Sequence, residues 1–196
     1  MTDPSVDRNV LRKTLRDRRR AIPASERINA AERIASTLFS LPFFPKSGAV
    51  AGYWAMDAEI ALHAWQLRLP ETLTYCLPVL HADGRLRFAP WRSGAPLTAN
   101  RYGIPEPEVT ETALIEPEAM ALVVVPLVGF DRSCARLGMG AGWYDRSFAF
   151  RNTRAAPPFL VGAAFAAQHI DTLTTESWDV PMDAVCTEHE IVLNHR

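Results

Sequence analysis

The sequence lacks the features that would place the chain in a membrane or in an oxidising compartment. Its longest apolar stretch, residues 119–130, is well short of the roughly 20 residues of a membrane-spanning helix. Residues 7–20 are heavily charged where a secretory signal would be apolar. The 3 cysteines form no Cys-x-x-Cys pair, and the 5 histidines show no zinc-ligand spacing. We therefore predict a cytoplasmic protein with reduced cysteines, no zinc and no membrane contact.

A strong net charge is also absent, because the chain carries a formal charge of -1 at pH 7. This balance argues against bulk attraction to nucleic acid, so any anionic ligand must be held by locally placed arginines. No internal repeat or low-complexity tract interrupts the 196 residues, and their hydrophobic share of 48% suffices for one good core. We expect a single domain over residues 1–196, with the helices of residues 1–40 packed on it, and a monomer without a nucleic-acid partner.

Helix and strand patterns alternate along the chain. Helices are predicted at residues 7–20, 60–67 and 143–150, and a further helix is predicted to begin after Ser25, which would cap it. Asp57 would cap the helix at residues 60–67. Strands are predicted at residues 49–54, 72–79, 86–88, 122–128, 160–165, 184–186 and 190–193, with a long loop at residues 89–118. This alternation predicts a three-layer α/β/α fold with a mainly parallel, mixed central sheet.

Three glycines at alternate positions follow the apolar strand and precede a helix start. The segment is Arg136-Leu137-Gly138-Met139-Gly140-Ala141-Gly142-Trp143-Tyr144-Asp145-Arg146. Glycine lets the backbone approach a ligand closely, and successive N–H groups at a helix start favour an anion such as phosphate. The spacing matches neither the P-loop nor the Gly-x-Gly-x-x-Gly of dinucleotide folds. A tight turn that binds no ligand is the alternative.

Three segments are expected to meet at one edge of the sheet, because ligands of parallel sheets bind at the carboxyl ends of strands. They are residues 53–59, the glycine segment and residues 168–183. Their aromatic and acidic residues are Trp54, Glu59, Trp143, Tyr144, Asp145, Trp178, Asp179 and Asp183. Two carboxylates from separate loops can hold a magnesium ion. The alternative for Asp179 and Asp183 is turn and capping duty around Pro181.

With these residues assembled, the chain resembles the 5-formyltetrahydrofolate cyclo-ligase family, also called 5,10-methenyltetrahydrofolate synthetases, over nearly its whole length. The likeness depends on the basic first helix, residues 53–59, residues 126–131, the glycine segment, and Gln168 with residues 178–188. It implies an enzyme that uses ATP and Mg²⁺ to cyclise 5-formyltetrahydrofolate, a reduced folate, through a phosphorylated formyl group. ADP and phosphate would be released.

The resemblance also implies roles for individual residues. ATP contacts would come from Arg8, Arg12, Arg136, Leu137, Gly138, Met139, Gly140, Ala141, Gly142, Trp143 and Tyr144. Magnesium would be held by Asp145 and Asp179, and folate by Trp54, Glu59 and Tyr102. Arg136, Tyr144 and Asp145 would be catalytic. Two departures stand out, since Arg8 replaces a common lysine and Met139 and Ala141 are neutral where some members carry a basic residue.

Two other functions stay open at this point. A divergent family member could keep the nucleotide site and act on another substrate. The neutral Met139 and Ala141 favour this alternative. A non-enzymatic module could bind RNA or phosphate through the arginine-rich first helix. The remaining basic residues of that helix, Lys13, Arg16 and Arg18 to Arg20, are expected on a solvated face. Cys134 is expected to be a half-buried cysteine rather than a nucleophile.

Overall fold

The computed structural model describes the backbone of residues 4–195 and the side chains of residues 8–195, so residues 1–3 and 196 of the expected domain lie outside it. The helices are α1 (Pro4–Arg20), α2 (Ala24–Phe39), α3 (His63–Leu67) and α4 (Trp143–Phe148). The strands are β1 (Gly48–Ala51), β2 (Leu73–Leu80), β3 (Leu86–Pro90), β4 (Leu97–Ala99), β5 (Pro105–Pro107), β6 (Met120–Pro126), β7 (Gly129–Phe130), β8 (Arg136–Leu137), β9 (Phe159–Ala163), β10 (Ala184–Cys186) and β11 (Ile191–Leu193). Between residues 4 and 195 no helix combines the length and apolar character needed to cross a membrane.

Seven of these strands form the central sheet in the order β11-β10-β9-β6-β1-β2-β3. The five inner strands run parallel, whereas β3 and β11 pair antiparallel at the two edges. Strands β4 and β5, and likewise β7 and β8, form separate two-stranded hairpins. The predicted mainly parallel, mixed sheet is therefore confirmed.

Strand β6 lies at the centre of the sheet because its apolar run can be buried on both faces. Leu122 and Val124 pack into one core cluster together with residues of α2 and α3, including Ile34 and Trp65. Val123, Val125 and other residues of the opposite face pack into a second cluster that contains Phe148 of α4. Helices therefore cover both faces, as the three-layer prediction requires.

Helix α1 lies beside the carboxyl end of β6. Its Leu15 is completely buried in a third cluster with Val128, Leu137 and Leu173. The approach is close, because a Cβ added to Gly129 would lie 2.5 Å from Leu15 Cδ1. A glycine at position 129 therefore lets the basic helix pack against the strand end, where its arginines reach the ligand-binding edge of the sheet.

Several local predictions were wrong. Helix α2 begins after Pro23, with no side-chain cap bond from Ser25. Asp57 caps no helix, because α3 begins only at His63 and Asp57 has a left-handed backbone with φ of 49°. Its carboxylate instead binds arginines of α1, which are distant in sequence. The long loop at residues 89–118 contains the β4–β5 hairpin and two short 3₁₀ turns.

Candidate active site

A cleft of about 800 Å³ opens at the carboxyl ends of β1 and β6. Its volume lies in the usual range for small-molecule sites, roughly 300–1,000 Å³. All three segments expected at this edge contribute to its lining, as do α1 and the β4–β5 hairpin. Every residue to which the family resemblance assigned a role lines the cleft except Leu137, whose side chain is fully buried in the core beside Leu15.

The glycine loop, residues 138–142, lies between β8 and α4. The sequence had placed it directly after the central strand, but the β7–β8 hairpin intervenes. Gly140 and Gly142 have φ of 100° and 66°, a left-handed backbone that glycine adopts without a Cβ penalty. Arg12 braces the loop, since its Nε donates a hydrogen bond of 2.9 Å to the carbonyl oxygen of Gly138.

Guanidinium groups and carboxylates from different segments pair across this part of the cleft. Arg8 lies 3.3 Å from the carboxylate of Asp179, and Arg136 forms an ion pair with Asp145. Arg8 Nε is buried and has no hydrogen-bond partner among the described residues. Burial and the neighbouring Arg8 lower the pKa of Arg12, as expected where cations crowd together. The arrangement can therefore attract and hold an anion.

Asp145 contacts the segment that carries Asp179 and a third acidic residue of the lining, Glu176, which lies 3.8 Å from Arg8. The N–H of Val180, the residue after Asp179, donates a hydrogen bond of 3.1 Å to Asp145 Oδ1. Among the side chains of residues 8–195, no cluster of three or more His, Cys, Asp or Glu could hold a metal. A pair of carboxylates nevertheless fits Mg²⁺, which commonly takes one or two carboxylates and completes its shell with water and substrate phosphates.

Exposed aromatic rings line the other half of the cleft. Trp54 is 38% exposed and Tyr102, at the tip of the β4–β5 hairpin, is 52% exposed. The indole N–H of Trp143 donates to the Tyr102 hydroxyl over 3.4 Å, so the hairpin tip touches the start of α4 across the mouth of the cleft. Exposed rings of this kind offer stacking surface to a flat, partly apolar ligand.

Glu59 lies deep in this aromatic half. Its Oε2 accepts a hydrogen bond of 2.9 Å from the N–H of Met56, and its Oε1 lies 3.8 Å from Arg19 Nη1. Burial raises the pKa of Glu59 above the ordinary 4.5. Burial also raises the pKa of Tyr144, whose phenol is already protonated at neutral pH without that shift. The site therefore combines a desolvated hydrogen-bond acceptor with a phenolic donor.

The solvated face expected for Lys13, Arg16 and Arg18 to Arg20 is wrong at two positions. Arg19 is completely buried, and Arg16 is half-buried with its Nε 4.0 Å from Asp57 Oδ2. The spacing does contain a signal, because position 19 continues the four-residue repeat of Leu11 and Leu15 and therefore lies on the same helix face. Burial of an arginine requires partners, which here come from the loop after β1.

Two other expectations are corrected. Asp183 does not line the cleft, because its carboxylate binds Arg151 and the N–H of Leu160. Cys134 is fully buried rather than half-buried.

A mainly parallel sheet, with a glycine loop, arginines and carboxylates at its strand ends, defines an α/β protein whose candidate ligand cleft lies where parallel sheets commonly bind ligands. The chain belongs to the 5-formyltetrahydrofolate cyclo-ligase family, whose model matches residues 4–188. It is therefore an enzyme of the ligase class, and the family membership expected from the glycine loop and its flanking motifs is confirmed.

Named relatives and a solved structure agree with this assignment. The chain is 30% identical to 5-formyltetrahydrofolate cyclo-ligase of Escherichia coli K12 over 181 residues, which cover 90% of this chain and 98% of the relative. It is 30% identical to the Haemophilus influenzae enzyme of the same name, covering 89% and 94%. The NMR structure of Aquifex aeolicus 5,10-methenyltetrahydrofolate synthetase superposes with a TM-score of 0.81 at 30% identity, covering 96% and 93%.

Proposed function

We propose that this enzyme converts 5-formyltetrahydrofolate and ATP into 5,10-methenyltetrahydrofolate, ADP and phosphate. Family membership and the names of the relatives support the substrate class. The structural observation that carries the proposal is one cleft lined both by the glycine loop with its arginines and by exposed aromatic rings around the half-buried carboxylate of Glu59. Such a cleft has room for a phosphate chain and a flat ring system side by side.

The phosphate chain of ATP would lie along the glycine loop. Arg8, Arg12 and Arg136 would neutralise its charge, helped by backbone N–H groups of residues 138–142. Asp145 and Asp179 fit a magnesium ion, because both line the cleft on segments that touch. When bound there, Mg²⁺ would offset the charge of the phosphate oxygens and help to orient them.

The chemistry explains why such a site is needed. A formamide carbon is a poor electrophile, so its oxygen would first accept the γ-phosphoryl group of ATP, releasing ADP. The N10 amine would then attack the activated carbon, and phosphate would leave with the formyl oxygen. Phosphoryl transfer asks the protein mainly to align the reactants and to stabilise charge. Arginine guanidinium groups and loop N–H groups supply that stabilisation.

The folate would occupy the aromatic half of the cleft. Trp54 and Tyr102 would contact its flat rings, and Glu59 would accept hydrogen bonds from N–H groups of the pterin. The protonated phenol of Tyr144 would donate a hydrogen bond to a substrate oxygen. A cytoplasmic location, a single domain, a monomeric state and the absence of a nucleic-acid partner stay predictions.

An absorbance assay tests the proposal directly. Purified protein given 5-formyltetrahydrofolate and MgATP should develop the near-ultraviolet absorbance of 5,10-methenyltetrahydrofolate. Omitting ATP, or removing Mg²⁺ with a chelator, should abolish the signal. No signal across a broad range of pH and substrate concentration would refute the proposed reaction.

Calorimetry separates this proposal from the divergent-enzyme alternative. The proposed enzyme should bind both MgATP and 5-formyltetrahydrofolate, whereas a divergent enzyme would bind MgATP and leave the folate unbound. The neutral Met139 and Ala141, which motivated the alternative, both line the cleft.

A further inference from the structure

Arg19, which has no assigned role in the site, contacts residues of two other segments. Its Nε donates to the carbonyl oxygen of Asp57 over 3.1 Å, and its Nη2 donates to Asp57 Oδ2 over 3.2 Å. Its Nη1 lies 3.5 Å from the carbonyl oxygen of Leu127 and 3.8 Å from Glu59 Oε1. One guanidinium thus joins α1, the chain after β6 and the loop after β1.

The loop after β1, residues 52–59, needs such support. Asp57 and Ala58 both have a left-handed backbone, with φ of 49° and 61°, although neither is glycine. Non-glycine residues occupy this region at a free-energy cost, so surrounding contacts must hold them there. Arg19 binds both the backbone and the side chain of Asp57, two residues before Glu59.

We propose that Arg19 is a positioning residue: it holds the carboxylate of Glu59 in place and so acts on the substrate through Glu59. The inference depends on the proposed function, in which Glu59 accepts hydrogen bonds from the pterin. Arg19 does not line the cleft, so it would not touch the substrate itself. Its guanidinium fixes the turn that carries Glu59 and keeps a positive charge next to that carboxylate.

Helix α1 would then serve both halves of the cleft. Arg8 and Arg12 line the half that contains the glycine loop, whereas Arg19 supports the aromatic half from behind. The charged and titratable groups around Glu59 are Arg19, Asp57, Tyr53 and Tyr144. Arg19 is the cation of this set that lowers the pKa of Glu59, against burial and Asp57, which raise it.

The test is a double-mutant cycle between Arg19 and Glu59. Arg19→Met removes the charge and keeps a long buried side chain. It should raise the KM for 5-formyltetrahydrofolate by about fivefold and leave the KM for ATP within about twofold. Glu59→Gln should raise the folate KM by about tenfold. In the double variant, Arg19→Met should add less than about twofold, because the carboxylate it positions is gone.

The pH profile provides a second readout. Without the guanidinium, Glu59 keeps its proton to a higher pH, so the acid limb of kcat/KM for folate should move to higher pH in Arg19→Met. Arg18→Met is the matched control, because Arg18 is an exposed neighbour on the same helix that makes no ion pair within residues 8–195. It should leave both KM values and the pH profile unchanged.

Folding is monitored by circular dichroism and thermal denaturation. If Arg19→Met does not fold, Arg19→Lys takes its place in the cycle. Lysine keeps the charge but lacks the forked donors, so it should give a folate KM between wild type and Glu59→Gln. Equal rises in both KM values, or full additivity in the double variant, would overturn the inference. Wild-type protein that binds folate without turning it over would instead refute the proposed reaction.

Discussion

The two halves of the cleft are built on different electrostatic principles. In the half with the glycine loop, Arg8 and Arg136 are paired with Asp179 and Asp145 on separate segments that line the same space. In the aromatic half, the half-buried carboxylate of Glu59 lies 3.8 Å from Arg19, whose guanidinium is completely buried and also binds Asp57. The first half offers several charges that an incoming anion can share, whereas the second offers a hydrogen-bond acceptor beside exposed rings.

This difference predicts separable kinetic effects. Changes among the charged groups near the glycine loop should alter turnover or the KM for ATP, because developing charge on a transferring phosphoryl group must be stabilised there. Changes in the aromatic half should alter the KM for folate and leave the KM for ATP unchanged. Any variant that affects both halves equally would argue against the division.

The largest effect is expected for Asp145→Asn. The amide keeps the size of the side chain and can still accept the N–H of Val180, but it loses the charge that faces Arg136 and that would hold the proposed magnesium ion. We expect kcat to fall by about 100-fold or more, whereas the melting temperature should fall because the buried Arg136 loses its charged partner, so circular dichroism must show that the variant is folded at the assay temperature. Asp183→Asn, a carboxylate outside the cleft, should keep kcat within about twofold. A fall of less than about threefold in Asp145→Asn would remove Asp145 from the mechanism.

A smaller effect is expected for Arg12→Met. This change removes a guanidinium from the lining of the cleft and the brace on the Gly138 carbonyl. Because a charge-assisted hydrogen bond contributes about 1.5–3 kcal/mol, the KM for ATP should rise about thirtyfold. Lys13→Met is the control, since Lys13 pairs with Asp17 on the exposed side of the same helix. Steady-state kinetics with each substrate varied in turn measures both KM values. A comparable rise in the folate KM would contradict this prediction.

The pH dependence of Glu59 tests the aromatic half. Burial raises the pKa of this carboxyl, and only the ionised form is a pure hydrogen-bond acceptor. The folate KM of the wild type should therefore rise as pH falls through that raised pKa. In Glu59→Gln the folate KM should not vary with pH in this way, and at every pH it should be about tenfold above the wild-type value at neutral pH. Persistence of the limb in Glu59→Gln would assign it to another group.

The smallest effects are expected at Tyr102. The hydrogen bond that its hydroxyl accepts from Trp143 is long, at 3.4 Å, so Tyr102→Phe should change the folate KM by less than about twofold. Tyr102→Ala removes the ring itself and should raise that KM by about fivefold, since an aromatic contact contributes about 1 kcal/mol. If the two variants behave alike, the hydroxyl rather than the ring makes the contact.

Most of the candidate site near the glycine loop could be predicted because it is contiguous in sequence. Arg136, the alternating glycines and Asp145 occupy ten consecutive positions, so their proximity follows from chain connectivity. The convergence of Trp54, Asp145 and Asp179 could also be predicted, because the ends of parallel strands share one edge. The β7–β8 hairpin was missed because its two-residue strands are too short to show a periodicity.

By itself, the sequence determined the elements whose burial pattern is local. The apolar run of β6 must be buried on both faces, and the glycine spacing of residues 138–142 permits a close backbone approach whatever surrounds it. The helical repeat places Arg19 on the same face of α1 as Leu11 and Leu15, but only the tertiary structure supplied the partners that allow an arginine to be buried there. The charges that make burial of Arg19 tolerable lie on Asp57 and Glu59, about forty positions away, and the free energy of a buried ion depends on those partners rather than on its neighbours in sequence.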